Sequence, residues 1–324
     1  YEGLPVITRN LPKLYNISLK QGGGNAETLQ AGVNWPVKLQ WDVVDGPPRI
    51  IVTLPEVEYG LVETDLPMGG VFVEGVTVSP IQDPPAIHLT LNLRELLQFR
   101  VAPLPQGGLE VGFQRESLLA TMVALDPGHG GYHLGARGRR LKEKDVNLDV
   151  ARRASAQLSA WGVPHILTRT EDRTLGLYER PALAEAVGAK AFVSIHCNAS
   201  DGPKTGHGTE TFYCHRESKC LGLIVHRSMV AALGRADRGL KTARFAVIRE
   251  AKMPAVLTEL MFIDNEQEEA LLEQPSTREA AAQAIVAALR QYVEGSALLP
   301  PNFPPTGPLG SLSMGDPRMS ARPG

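Results

Sequence analysis

The feature that most constrains this chain is an alternation within residues 118–295. Short, near-continuous apolar runs at 122–125, 165–168, 191–196 and 255–258 are separated by longer amphipathic stretches. A strand whose successive residues are all apolar must be covered on both faces, which is the habit of parallel sheets. In 145–161 Val146, Val150, Ala154 and Leu158 recur every fourth residue, with Trp161 close to the same stripe and Arg152, Arg153 and Gln157 interspersed. A second helix is expected over 219–234. A third, over 277–293, carries Ala281, Ile285, Leu289 and Tyr292 on one stripe. The pattern predicts an α/β domain with a mostly parallel sheet and helices on both faces.

Residues 1–117 have another texture. Segments 49–54, 71–78, 87–93 and 109–113 read as short strands, several alternating apolar with polar residues. Gly46-Pro-Pro, Asp83-Pro-Pro and Pro105-Gln-Gly-Gly fall at hairpin-like spacing. A small all-β sandwich is the expectation. From Ser296 onward Pro and Gly dominate and periodicity stops, so 296–324 reads as a disordered tail. The predicted chain is therefore multidomain: 1–117, 118–295 and the tail.

Composition narrows the partners. A net charge of −2 gives no basic footprint for nucleic acid. No apolar run approaches the roughly 18–20 residues that span a bilayer. The first residue is Tyr1, which fits either a mature chain with its export signal removed or an excised segment. Cys197, Cys214 and Cys220 make an odd count; Cys214 and Cys220 can be read as a bridge or as isolated thiols. Cys197 follows His196 on a strand, so its side chain should face away from that of His196.

Four strings carry chemistry: Leu-Asp-Pro-Gly-His-Gly-Gly at 125–131, Lys-Glu-Lys-Asp-Val-Asn-Leu at 142–148, Ser-Ile-His-Cys-Asn-Ala at 194–199 and Val-Leu-Thr-Glu-Leu at 256–260. They supply His129, Glu143, His196 and Glu259. Ligands of open α/β sheets gather beyond the carboxyl ends of the strands, and His129, His196 and Glu259 each sit at or just after such an end. Glu143 opens the helix that should start above the same edge. Two imidazoles and one carboxylate leave a tetrahedral Zn2+, one per chain, with an open position for water, which marks a hydrolytic site. Glu259, off the metal, would take the water proton. Arg249, in Phe-Ala-Val-Ile-Arg at 245–249, is a candidate to hold a substrate carboxylate through its fork. Asn198 is a second substrate-binding candidate. Each residue alone has a plainer explanation, such as a loop histidine or a glutamate complementing a helix start; the four strings in order change that balance.

Over about 121–293 these strings resemble the zinc-dependent N-acetylmuramoyl-L-alanine amidases of the type 3 family. Leu-Thr-Arg-Thr at 167–170, Leu-Tyr-Glu-Arg at 177–180, Met-Pro-Ala-Val at 253–256 and Phe-Ile-Asp-Asn at 262–265 support the likeness. The resemblance implies that His129, Glu143 and His196 bind zinc and that Glu259 is the base. It implies a peptidoglycan substrate cut between N-acetylmuramic acid and L-alanine, a periplasmic or extracellular location, and a possible protein activator. Residues 1–117 resemble, less closely, the AMIN domain that precedes such amidases and binds the wall. No nucleic-acid partner and no membrane span are expected, and the chain is expected to be a monomer.

Two departures stand out. Met261 occupies a position where the family usually has Gly, and only about a dozen residues, 200–211, follow the second histidine string. No helix plugging the site is therefore expected. Two other readings compete: a wall-binding or regulatory protein on an inactive amidase fold, and another zinc hydrolase such as a peptidase. The absence of His-Glu-x-x-His disfavours a thermolysin-like protease.

Overall fold

A computed structural model describes residues 10–61, 63–202 and 204–295. The tail expected over 296–324 lies outside these residues.

Among the described residues the N-terminal region forms ten strands: β1 (Lys13–Gln21), β2 (Ala26–Val33), β3 (Gln40–Val44), β4 (Arg49–Pro55), β5 (Glu58–Tyr59), β6 (Asp65–Pro67), β7 (Val73–Gln82), β8 (Pro85–Leu93), β9 (Phe99–Pro103) and β10 (Leu109–Gln114). They build two five-stranded sheets, ordered β5-β1-β2-β10-β9 and β3-β4-β8-β7-β6. The three turn signals each close an antiparallel hairpin: β3–β4, β7–β8 and β9–β10. Alternate residues Ile50, Val52 and Leu54 of β4 meet Leu29 and Ala31 of β2 and Val111 of β10 in the buried core. That is the period-two burial expected of sheets with one dry face.

The second region contains β11 (Val123–Pro127), α1 (Glu143–Ala160), β12 (His165–Leu167), α2 (Glu179–Ala186), β13 (Ala191–Asn198), β14 (Thr209–Tyr213), α3 (Lys219–Leu233), β15 (Asp237–Thr242), α4 (Ala246–Arg249), β16 (Ala255–Phe262), α5 (Glu266–Glu273) and α6 (Pro275–Glu294). Its six-stranded sheet has the order β12-β11-β13-β16-β14-β15. The neighbours from β12 to β16 pair in parallel, β14 runs antiparallel to β16, and β15 is parallel to β14. The sheet is thus mixed, because the short link from β13 to β14 is followed by a return along the outside of β16.

Successive residues of β11 are buried on opposite faces, as double coverage requires. Val123 and Leu125 join the large core with residues of α1, α3 and α6, whereas Ala124 packs with Ala184 of α2 and Val247 and Ile248 of α4. The same large core takes in residues of both regions. Polar contacts reinforce that junction: Lys219 donates to Asp42, Arg227 to Asp45, and the backbone N–H of Gln98 to the Tyr292 carbonyl. All three cysteines are free thiols; Cys220 and Cys197 are buried, the latter in the core and away from His196.

Candidate metal centre

The site grows from the carboxyl end of β11. Val123–Pro127 is wholly buried, and the chain then turns through His129 at φ 60° and Gly131 at φ 60°. Gly128 is required by close approach: a Cβ there would lie 2.2 Å from the His196 ring. Gly135 is required twice over, by φ 67° and by a Cβ position 2.4 Å from Glu143 Oε2.

This turn is clamped from beneath. Arg169, 1% exposed, donates from Nε to the Pro127 carbonyl and from Nη2 to the carbonyls of Gly128 and Lys144. Arg180 Nη2 donates to the His129 carbonyl at 2.7 Å, and Arg180 Nη1 donates to Pro127 O and to Asp126. Asp126 is fully buried and also accepts from Thr168 Oγ1 and Ser194 Oγ. On the outer side Asp172 accepts from the Gly131 N–H and from Lys144 Nζ. The backbone that presents His129 is therefore held by fixed donors and acceptors on both sides.

Glu143 is the first residue of α1, which starts two residues before the expected range of 145–161. Its Oε2 accepts from the Ala136 N–H at 2.6 Å, and Oε1 accepts from the Cys197 N–H at 3.2 Å and Asn147 Nδ2 at 3.3 Å. Oε1 also lies 2.8 Å from His196 Nδ1 and 3.2 Å from His129 Nε2. Burial alone would push the pKa of Glu143 up; the contacts with His129 and His196 outweigh it and hold the carboxyl well below the usual range. The two imidazole rings stand edge to face with centroids 4.9 Å apart. One ligand atom from each of His129, Glu143 and His196 falls within 4.8 Å of the others, so this trio could hold one metal ion.

Glu259 lies within β16, which runs on to Phe262 instead of stopping at Thr258; the apolar residues Leu260, Met261 and Phe262 continue the strand. It is opposite His196 on one side and Glu210 on the other. Burial first, then the charges of Glu143 and Glu210, push its pKa well above the ordinary carboxylate value. Its Oε2 is shielded from solvent and has no hydrogen-bond partner among the described residues. Shielded carboxylates gathered this closely fit a divalent cation, which supplies the positive charge the cluster lacks, and the two-imidazole, one-carboxylate donor set suits zinc.

The two substrate-binding candidates have partners of their own. Arg249 Nε donates to its neighbour Glu250 at 2.7 Å, and among the described residues its polar contacts do not include the trio or Glu259. Asn198 Nδ2 donates to Glu210. Met261 is buried in the core at 1% exposure. Between Asn198 and Thr209 the described residues form no helix. Sequence reasoning missed the roles of Asp126, Arg169, Arg180 and Glu210. Three of them fall in the short strings, Asp126 at 125–131, Arg169 at 167–170 and Arg180 at 177–180, but the strings do not say what each one contacts.

Comparison with known proteins gives a consistent result. Residues 123–291 match the profile of the N-acetylmuramoyl-L-alanine amidase family. The chain is 40% identical over 175 residues to N-acetylmuramoyl-L-alanine amidase LytC of Bacillus subtilis, covering 53% of this chain and 35% of LytC. It thus spans about a third of that relative's length. Among solved structures, the catalytic domain of the N-acetylmuramoyl-L-alanine amidase CwlV from Bacillus (Paenibacillus) polymyxa var. colistinus is 37% identical, with a TM-score of 0.51 over 53% of this chain and 97% of that one. The CwlD amidase from Clostridioides difficile, solved in complex with the GerS lipoprotein, is 28% identical, with a TM-score of 0.51 over 54% and 100%.

Proposed function

This chain belongs to the N-acetylmuramoyl-L-alanine amidase family, which matches just over half its length, and on that premise we propose that it hydrolyses the amide bond between N-acetylmuramic acid and L-alanine in peptidoglycan. The observation that carries the reading is the convergence of His129, Glu143 and His196 beside the unpartnered oxygen of Glu259.

His129, Glu143 and His196 would hold a zinc ion, which supplies Lewis acidity toward the scissile carbonyl and a more acidic water. The chain's own residues do the rest. Glu143 fixes both imidazoles while its second oxygen is tied to the Ala136 N–H, so the trio is held before substrate arrives. Glu259 accepts a proton from the attacking water and passes it to the amide nitrogen, so that L-alanine leaves as a neutral amine. The oxygen of Glu259 that has no partner among the described residues is free to take and return that proton.

Residues 118–295 are assigned as the catalytic domain and 1–117 as an AMIN-like wall-binding domain, acting as a monomer outside the cytoplasmic membrane. Among the described residues no helix is long and apolar enough to cross a membrane. A protein activator is included in the proposal because the similar CwlD was solved bound to a lipoprotein. The test is digestion of purified sacculi followed by product analysis. Free stem peptides beginning with L-alanine, abolished by chelator and restored by zinc, are expected; cleavage within the stem peptide, or none with zinc supplied, would overturn the assignment.

A further inference from the structure

Beside the candidate metal centre stands a second charged group that the chemistry above leaves unused. Cross-strand partners project to the same face of a sheet, so His196, Glu259 and Glu210 form one row across β13, β16 and β14. At the far end of that row Glu210, its side chain only 7% exposed, accepts from Arg238 Nε at 3.1 Å, from Lys241 Nζ and from Asn198 Nδ2. Burying this carboxylate is costly unless it is paired, and two cations do so. Two positive groups against one negative leave an excess of positive charge at that end of the row.

Both cations keep capacity to bind. The side chains of Arg238 and Lys241 are 37% and 42% exposed, while the carboxylate anchoring them is buried. An ammonium has three donors, and among the described residues Glu210 is the one acceptor bonded to Lys241 Nζ. The Arg238 guanidinium is braced 4.8 Å over the Phe262 ring and donates from Nη1 to the His207 carbonyl. The pair is therefore held in place at one edge and open at the other; its strand, β15, lies two strand spacings, about 10 Å, from the β16 of Glu259, with Glu210 on β14 between them.

We infer that Arg238 and Lys241, held by Glu210, form a subsite for a carboxylate of the stem peptide, one or two residues beyond the scissile amide. The inference rests on the amidase reading. In N-acetylmuramoyl-L-alanine the lactyl carboxyl is consumed by the amide bond itself, so the substrate's free carboxylates lie on the peptide side. A positive subsite thus orients the substrate, peptide toward β14 and β15 and glycan away from them. Arg249, paired with Glu250, does not share this position.

The test is calorimetric titration of the whole chain with an L-alanyl-glutamyl peptide and with the same peptide fully amidated, neither of which contains the scissile bond. The acidic peptide is expected to bind at least about tenfold more tightly, a gap of ~1.4 kcal/mol. Lys241→Met and Arg238→Met should each narrow the ratio to about threefold or less, whereas Lys241→Arg, which retains the charge, should preserve it. Equal affinities for the unaltered chain, no saturable binding of either peptide, or an undiminished ratio in both methionine variants would overturn the subsite and leave the cations as mere counter-ions to Glu210. The sacculus digestion stands apart: discrimination without cleavage removes the amidase reading alone, and cleavage without discrimination removes the subsite alone.

Discussion

Glu27 in the N-terminal region and Glu259 in the α/β region are both carboxylates with shielded oxygens, and their surroundings differ in one decisive respect. Glu27, 1% exposed, spends its oxygens on the backbone N–H groups of Val71, Phe72 and Val73, each at 2.9 Å. It ties the first sheet to the approach of β7 in the second and has nothing left to offer. Glu259 keeps an oxygen without a partner and stands beside two further carboxylates. A satisfied buried acid stabilises a fold, whereas an unsatisfied one at the mouth of a sheet signals chemistry.

The sharpest way to break this comparison is to remove the charge and keep the shape. Glu259→Gln is expected to lower turnover on sacculi by about 10³-fold, in the range of lost general acid–base catalysis, while zinc content measured by absorption spectroscopy stays near one per chain. In the zinc-free chain the same change should raise thermal stability, because an unpartnered acid is replaced by a neutral amide. A variant that keeps its turnover removes Glu259 from the chemistry; one that loses zinc moves it into the ligand set.

The next largest effect should come from the clamp under His129. Asp126 is fully buried and pairs with Arg180 at 2.8 Å, and Asp126→Asn leaves the guanidinium without its counter-ion. A loss of about 3 kcal/mol in denaturant unfolding is expected, together with zinc affinity weakened by about tenfold or more, since Arg180 also holds the His129 carbonyl. Unchanged zinc competition with a chromophoric chelator would show that the clamp serves the fold only. Glu27→Ala comes third. Stranding three backbone donors should cost about 2 kcal/mol with no change in kcat/KM for a soluble muropeptide.

Legibility in the sequence divides along the same line. His129, Glu143, His196 and Glu259 could be singled out because each lies in a short string whose flanking Gly, Pro and apolar residues mark a strand or a helix start, although β13 and β16 run on past His196 and Glu259. The clamp was not, because Arg169 and Arg180 act on backbone carbonyls some forty to fifty residues away, at Gly128, Pro127 and His129. No local period encodes such a contact. In the β region β4, β8 and β10 stood out by their β-branched and aliphatic residues. β2 alternates perfectly between buried and part-buried, yet its Ala, Glu, Gln and Gly residues have weak strand preference and hid it. β1 lies next to the sheet edge and buries little beyond Leu14, so its pattern is washed out. Arg249, singled out for its fork, is paired in the structure with the adjacent Glu250.

The smallest effect expected belongs to a third kind of carboxylate, neither buried nor orphaned. Asp172 is 48% exposed on its side chain and accepts from Lys144 Nζ at 2.5 Å and from the Gly131 N–H at 2.7 Å. The hydrogen bond from Lys144, then that from Gly131, lower its pKa below the ordinary value. A carboxyl lowered in the folded state adds stability that is fully present above its unfolded value of about 3.9 and is lost as pH falls through the folded value. Solvent screens so exposed a pair, so Asp172→Asn should cost no more than about 0.5–1 kcal/mol at pH 7. That penalty should shrink as the pH of the unfolding measurement drops below about 4 and should weaken in high salt. The comparison tightens if all three behaviours hold: Glu259 moves turnover, Glu27 moves stability at neutral pH, and Asp172 moves stability only slightly, with a dependence on acid that the other two assignments do not require. A penalty at Asp172 as large as that at Glu27 would instead mean that the outer clamp on Gly131 bears as much of the His129 turn as the buried arginines do.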